Sequence, residues 1–300
     1  MLEYFDFEFQ KELKNIDLVQ VVEIRIRANK NVIIKCNNTE IKLNYKPTIN
    51  DIENILNKMC ENSIYAYQEQ ICNGFITLPQ GHRVGITGSV VQTENKVINI
   101  NYVSSLNIRI CKEIRECSNT ILKYTLDIGK NSIYNTIIMS PPGGGKTTII
   151  RDFIRKISDG IDEINFKGIT VGLVDERGEI ASMYHGIPTH DIGIRTDVLE
   201  NVSKDIGMRM LVRTMAPDVI VADEIGTKED ANAIHYAVCS GVKGIFTAHG
   251  DSMQELEKNP NLKELIDEKI IERIIFLQGG KNKGKIKEAY FLNNNIYQRF

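Results

Sequence analysis

The chain has 300 residues, 42% apolar and 25% charged, with a formal net charge of −2 at neutral pH. That length points to about two domains, each with enough chain for a buried core, and the balanced charge excludes a protein that coats nucleic acid generally, leaving room only for a local basic patch. No run of eighteen apolar residues occurs, and Met1 to Phe9 carries acidic residues and no basic n-region, so a cytosolic chain is expected, reaching a membrane through partners and not by direct insertion. Cys36, Cys60, Cys72, Cys111, Cys117 and Cys239 form no C-x-x-C pair and the five histidines no H-x-x-x-H spacing. Buried reduced thiols are therefore expected, with neither disulfide nor zinc site.

In chain order, the residues through Leu18 read as a short helix or arm. Val21–Arg27, Val32–Cys36 and Glu40–Leu43 are β-branched runs separated by Asn-rich turns at 29–31 and 37–39, the pattern of a three-stranded meander. Thr48 and Asp51 have capping-box form, and Ile52, Ile55, Leu56 and Met59 follow at helical spacing, predicting a helix on that sheet. A second short helix spans Tyr65 to Cys72. The glycine-punctuated stretch Gly74–Gly88, with Arg83 between Gly81 and Gly85, reads as strands joined by tight turns, and Val97–Ile100 and Ser105–Ile110 as further strand pieces. An arginine in a strand ordinarily points to solvent. Cys111–Thr125 reads as helical and Asp127–Ser132 as a linker. The domain boundary is set near residue 112, giving an α+β domain over 1–111 and a second domain over 112–300.

Thr136–Met139 is a short apolar run with β character, and Ile149, Ile150, Phe153, Ile154 and Ile157 recur at helical spacing. Between them stand Ser140, Pro141, Pro142, Gly143, Gly144, Gly145, Lys146, Thr147 and Thr148, where a strand turns into a helix. This is P-loop context. A compact anion needs several backbone N–H groups, which a helix N-terminus supplies together with a favourable dipole. Glycines allow close backbone approach, Lys146 can reach β and γ phosphates, and the Thr147 hydroxyl can ligate Mg²⁺. The strict pattern wants glycine at the first position; Ser140 is a small residue there, and the Gly145-Lys146-Thr147 core is intact.

Further on, Ile169–Val174 reads as a strand ending in Asp175-Glu-Arg-Gly-Glu179, where open α/β sheets bind ligands. Tyr184–Leu199 reads as a long polar loop, and Ser203–Met215 as a helix. Val219–Ala222 leads into Asp223-Glu224, the second half of an NTPase site: Asp223 would hold Mg²⁺, mostly through water, and Glu224 would deprotonate the attacking water. Thr227–Gly241 is a helix, and Lys243–His249 a strand that brings Thr247 and His249 to the same edge. Helical pieces from Ser252 to Glu272, a strand at 274–277, the Gly279–Gly284 turn and a closing hairpin complete the chain. Asp175-Glu-Arg-Gly178 also fits the GTPase pattern D-x-x-G, and Thr227-Lys-Glu-Asp230 fits [NT]-K-x-D. A guanine-reading motif should, however, close an apolar strand, whereas Thr227 and Asp230 sit as a helix capping box, so ATP is the expected nucleotide.

Taken together, Glu23-Ile-Arg-Ile-Arg27, Gly81-His-Arg-Val-Gly85, Ser104-Ser-Leu-Asn-Ile-Arg109, the P-loop, Val174–Ile180, Asp191–Asp197, Pro217–Gly226 and Thr247-Ala-His-Gly250 resemble the stage III sporulation protein AA family. Its members are ATPases of endospore-forming bacteria, related to the traffic ATPases of type II and type IV secretion and of pili. The resemblance implies an α/β, RecA-like P-loop NTPase domain, a mainly parallel sheet flanked by helices, behind a smaller α+β domain. It implies that Asp175, Glu176 and Glu179 form an acidic box, that His249 marks a histidine box, and that Arg83 and Arg109 act against the nucleotide. It further implies a homo-hexamer using ATP and Mg²⁺ in the mother-cell cytoplasm, working with membrane proteins of the channel complex between mother cell and forespore, with no nucleic-acid partner. A RecA-like nucleic-acid motor or loader and a nucleotide-gated scaffold with negligible turnover are the alternatives.

Overall fold

The computed structural model describes every residue except Asn15, Asn38 and Asn95, so part of the turn expected at 37–39 lies outside the described residues. It divides into two compact units, Met1–Lys112 and Glu113–Phe300. Among the described residues, no helix is long and apolar enough to cross a membrane.

The first unit opens with α1 (Phe7–Leu13), capped by Asp6, whose carboxylate accepts the Phe9 N–H at 2.7 Å. The meander follows as β1 (Val21–Arg27), β2 (Ile33–Cys36) and β3 (Glu40–Lys42). In α2 (Ile49–Met59) both halves of the Thr48/Asp51 capping box form, and the four apolar residues at helical spacing are buried. Next come α3 (Gln68–Cys72), β4 (Phe75–Thr77), β5 (Arg83–Thr93) and β6 (Lys96–Arg109). The antiparallel sheet runs β3-β2-β1-β6-β5-β4. Strand alternation turns Ile24, Ile26, Val84 and Ile108 into a core shared with Phe5, Phe9, Ile52 and Met59. On the other face, Arg83 of β5 stands directly opposite Arg109 of β6, which faces Glu23 of β1. The two strand pieces expected at 97–110 are one continuous strand. It bends without breaking because the register shifts opposite β5 and Gly88 lets the backbones close in, where a Cβ would stand 2.6 Å from the Asn101 carbonyl oxygen.

In the second unit, the helix expected from Cys111 begins only at α4 (Asn119–Thr125). Glu116 adopts a left-handed φ of 62°, and the Ser118 N–H and hydroxyl both donate to buried Asp152, pinning the preceding segment in a non-helical course. The expected linker is a packed hairpin of β7 (Leu126–Asp127) and β8 (Ser132–Ile133), turned by left-handed Asn131, with Leu126 and Ile133 buried. Then follow β9 (Thr136–Ser140), α5 (Lys146–Asp159), the hairpin β10 (Gly160–Ile161) and β11 (Phe166–Lys167), β12 (Val171–Asp175), and the hairpin β13 (Met183–Tyr184) and β14 (Ile187–Pro188). β15 (Thr196–Glu200) overlaps the end of the stretch read as a loop. It is a polar edge strand bonded to β12 alone, half-buried at every position, and so carries no alternation to read. The remainder is α6 (Lys204–Thr214), β16 (Val219–Ala222), α7 (Lys228–Cys239), β17 (Lys243–His249), α8 (Met253–Lys258), α9 (Pro260–Asp267), β18 (Arg273–Leu277), β19 (Ile286–Asn293) and β20 (Ile296–Arg299).

The sheet order is β15-β12-β16-β17-β9-β18-β19-β20, parallel from β15 to β18 and antiparallel beyond. Both faces are covered. Ile138, Leu173, Val221 and Ile245 pack with Ile149, Ile150 and Phe153 of α5 on one side, while Ile137, Met139, Ile220 and Phe246 pack with Met208 of α6 and Ile234 of α7 on the other. Burial on both faces explains why these strands read as unbroken apolar runs. Parallel pairing also brings the C-terminal ends of β9, β17 and β16 to one edge, with β17 between the other two.

Candidate active site

The P-loop leaves β9 at Ser140, which is fully buried, its hydroxyl donating to the Pro141 carbonyl at 2.9 Å. Gly143 and Gly145 hold left-handed φ of 72° and 91°, the backbone state glycine adopts without strain. Gly144 is required for a different reason: a Cβ there would stand 2.6 Å from Ser140 Cβ and closer still to its hydroxyl. Serine at the first position is thus accommodated by glycine at the fifth. α5 starts at Lys146 with Gly145 as its N-cap and no side chain capping it, so its first N–H groups are available to an anion.

Lys146 is 6% exposed. Its ammonium has three long contacts, none of them to a carboxylate: the Ser140 carbonyl and hydroxyl, each at 3.3 Å, and His249 Nδ1 at 3.4 Å. Burial lowers its pKa, opposed by the negative charges of Asp223 and Glu224. A buried cation held this loosely favours an arriving anion. The Thr147 hydroxyl donates to Asp223 Oδ2 at 3.0 Å, and the Thr247 hydroxyl donates to Asp223 Oδ1. Hydroxyl and carboxylate are the hard oxygen donors that suit Mg²⁺. Among the described residues no group of three or more His, Cys, Asp or Glu could hold a metal. A divalent ion here would therefore be shared with phosphate oxygens and water, the usual Mg²⁺ arrangement.

Glu224 sits at a left-handed φ of 55°, fixed by its N–H donating to the Thr247 hydroxyl at 2.8 Å. Its carboxylate is engaged on both oxygens, with Arg177 Nη1 at 2.6 Å and His249 Nε2 at 3.1 Å. With Nε2–H donating to Glu224, His249 Nδ1 is left as acceptor for Lys146, so one imidazole bridges the P-loop lysine and the glutamate. The interposed β17 makes this possible, since it carries both Thr247 and His249 between β9 and β16.

The acidic box divides. Asp175 is buried, and its carboxylate accepts the N–H groups of Glu179, Ile180 and Ala181 at 2.9, 3.0 and 2.8 Å, folding the turn that follows β12. Burial raises its pKa, offset only in part by those bonds. Glu176 turns away to the Lys204 ammonium on α6, whereas Glu179 lines the P-loop cavity. That cavity, of about 530 Å³, also takes in Glu224, His249, Ile114, Cys117, Lys283 and Gly284. Two cavities of similar size, about 470 and 460 Å³, lie in the first unit, so chemistry and not volume singles out this one. Arg83 and Arg109 belong to the first unit, where Arg83 packs over the Phe75 ring at 5.0 Å and Arg109 is exposed. Like charges directly across two strands are unfavourable, and here Glu23, on the other side of Arg109, is the carboxylate beside them.

Thr227 and Asp230, which also fit the guanine-reading pattern, are engaged at the start of α7. Both halves of a capping box form between Thr227 and Asp230, and the Asp230 carboxylate also accepts the Gly226 N–H at 3.0 Å, so it is committed within its own helix. Arg177, Lys283, Ile114 and Cys117 are the site residues missed as ligand-facing in the sequence; only the Gly-rich spacing around Lys283 marks it there.

The chain is similar to known proteins along nearly its whole length. A family model described as "Sporulation stage III, protein AA" matches residues 9–295. Stage III sporulation protein AA of Bacillus subtilis (strain 168) is 36% identical over 288 residues, covering 96% of this chain and 92% of that protein. Among solved structures, the Legionella pneumophila ATPase DotB shares the fold with a TM-score of 0.58 at 15% identity, covering 96% of this chain and 81% of that one. The pilus retraction motor PilT, solved with bound ADP, also gives 0.58, at 14% identity, covering 98% and 80%.

Proposed function

We propose that this chain, which belongs to the sporulation stage III protein AA family, is an Mg²⁺-dependent ATPase that powers or assembles the channel complex between mother cell and forespore. The observation that carries the ATPase reading is the continuous chain Lys146–His249–Glu224–Thr247–Asp223–Thr147 across three neighbouring strand ends. Glycine N–H groups and Lys146 receive the phosphates of ATP. Thr147 and Asp223 would hold the metal. When bound, Mg²⁺ would supply positive charge that neutralises the phosphates. Glu224, released from Arg177, takes a proton from the water that attacks the terminal phosphorus, while the bond to the β-phosphate oxygen breaks and ADP leaves. Asp175 acts by fixing the turn that offers Glu179, and Glu176 by tying that turn to α6. The family resemblance assigns Arg83 and Arg109 to the charge of the terminal phosphoryl group.

By the same resemblance the working form is a homo-hexamer in the mother-cell cytoplasm, held at the membrane by proteins of the channel complex. A nucleotide-gated scaffold with little turnover is the second reading, favoured by the engagement of both Glu224 oxygens. Light scattering with and without a non-hydrolysable ATP analogue, paired with a phosphate-release assay, tests both. Nucleotide-promoted hexamers with Mg²⁺-dependent turnover are expected. Assembly without turnover points to the scaffold, and a chain that binds no ATP overturns both readings.

A further inference from the structure

The Gly279–Gly284 turn between β18 and β19 has no part in the chemistry above, yet it is built against the P-loop. β18 runs parallel to β9, so the turn leaves the sheet at the P-loop edge. A backbone hydrogen bond fastens it there. The Gly284 N–H donates to the Gly144 carbonyl at 3.0 Å, and a Cβ on Gly279 would stand 3.6 Å from the Pro141 ring. Because a trans peptide points its C=O and N–H in opposite directions, holding the Gly144 carbonyl also sets the direction of the Gly145 N–H. Gly284 needs its left-handed φ of 80° to make this approach.

The turn lies toward one end of the cavity. Lys146 and Thr147 meet His249 and Asp223, and that is the end for the terminal phosphate. Just beyond, at Thr148 and Ile149 of α5, Cys117 Sγ lies 3.5 Å from the Thr148 carbonyl oxygen, and a Cβ on Gly284 would be 3.4 Å from Ile149 Cδ1. Ile114, Cys117 and Ile149 make that end apolar, and Lys283 is the cation lining it; among the described residues no carboxylate pairs with it. An apolar wall with one ammonium matches a nucleoside and the phosphate attached to it.

We propose that Gly279–Gly284 is a second nucleotide-binding loop, in which Lys283 meets the phosphate nearest the sugar while Ile114 and Ile149 face the nucleoside. The inference rests on the ATP reading above and adds to it a contact that ATP and ADP share. Calorimetric titration of the full chain with ADP and with a non-hydrolysable ATP analogue tests it. Lys283→Ala should weaken both ligands equally, about fivefold, as expected for one partly exposed charge contact. Lys283→Arg should restore most of the loss, and Lys285→Ala, outside both the loop and the cavity lining, should leave both affinities within about twofold. Lys146→Ala should instead weaken the triphosphate more than ADP. Unchanged affinity in Lys283→Ala, or a loss confined to the triphosphate, overturns the second loop while leaving the ATP reading intact. If the wild-type chain binds neither ligand, the ATP reading falls and the loop with it.

Discussion

Replacing Glu224 by glutamine isolates the step on which the ATPase reading turns. The side chain keeps its shape, and its position is set by backbone features that the change leaves alone, the left-handed φ of 55° and the N–H donated to the Thr247 hydroxyl. The ion pair with Arg177 is lost, but Arg177 is 64% exposed, so the stability change should stay within about 1 kcal/mol. Binding should hold or tighten, because the substitution removes a negative charge from a cavity that receives phosphates. Turnover, by contrast, loses its proton acceptor. General-base catalysis contributes about 10²–10⁴ in rate, so kcat should fall about a thousandfold, or about 4 kcal/mol of barrier. Steady-state phosphate release at saturating ATP and Mg²⁺, with affinity and melting temperature measured on the same protein, reads all three quantities. A kcat within about tenfold of wild type, at unchanged affinity, would refute the assignment.

Gly144→Ala should abolish nucleotide binding, since the new Cβ stands 2.6 Å from Ser140 Cβ; adding Ser140→Gly removes that neighbour and should recover part of the affinity, and a double variant no better than the single one would exclude this clash as the cause. Asp152→Ala should destabilise the chain by about 3 kcal/mol, or about 6–12 °C in Tm, because it leaves the Ser118 N–H and the Arg155 guanidinium without their buried acceptor. Burial alone would raise the Asp152 pKa, but the hydrogen bonds from Ser118 and Arg155 outweigh it and hold the folded value below 3.8. The unfolded chain therefore binds the extra proton first, and the stabilisation, complete above the unfolded pKa, is lost as pH falls through the folded one. Wild-type and variant melting curves should converge toward acid pH; a constant gap would refute this. Arg83→Ala and Arg109→Ala should each lower turnover about a hundredfold without unfolding, and wild-type rates in both would make the arginines structural.

Local rules made much of this legible in the sequence. Both capping boxes, at Thr48/Asp51 and Thr227/Asp230, form as their spacing requires, and the apolar run after Lys146 is buried residue for residue. What stayed hidden depends on partners distant in the chain. Thr196–Glu200 is a strand because β12 bonds it, not because its own pattern alternates. The segment before α4 is non-helical because Asp152, 34 residues on, takes both donors of Ser118. Within the site, glycine and lysine spacing exposed the cradle, whereas Arg177 reaches Glu224 from another strand's turn, a contact that no linear motif encodes.

Strand order bears on which chemistry the site can do. Neighbouring strands lie about 4.8 Å apart, so β9 and β16, separated by β17, deliver the cradle and Glu224 about 9.6 Å apart at the sheet edge. That span leaves room for a terminal phosphoryl group and one attacking water in line between lysine and base, with Thr147 and Asp223 meeting at one side of the gap. Were β16 paired directly to β9, the glutamate would crowd the phosphate it is meant to attack through water. The interposed strand then needs side chains that bridge the gap without closing it, and Thr247 and His249 do this with a hydroxyl and an imidazole.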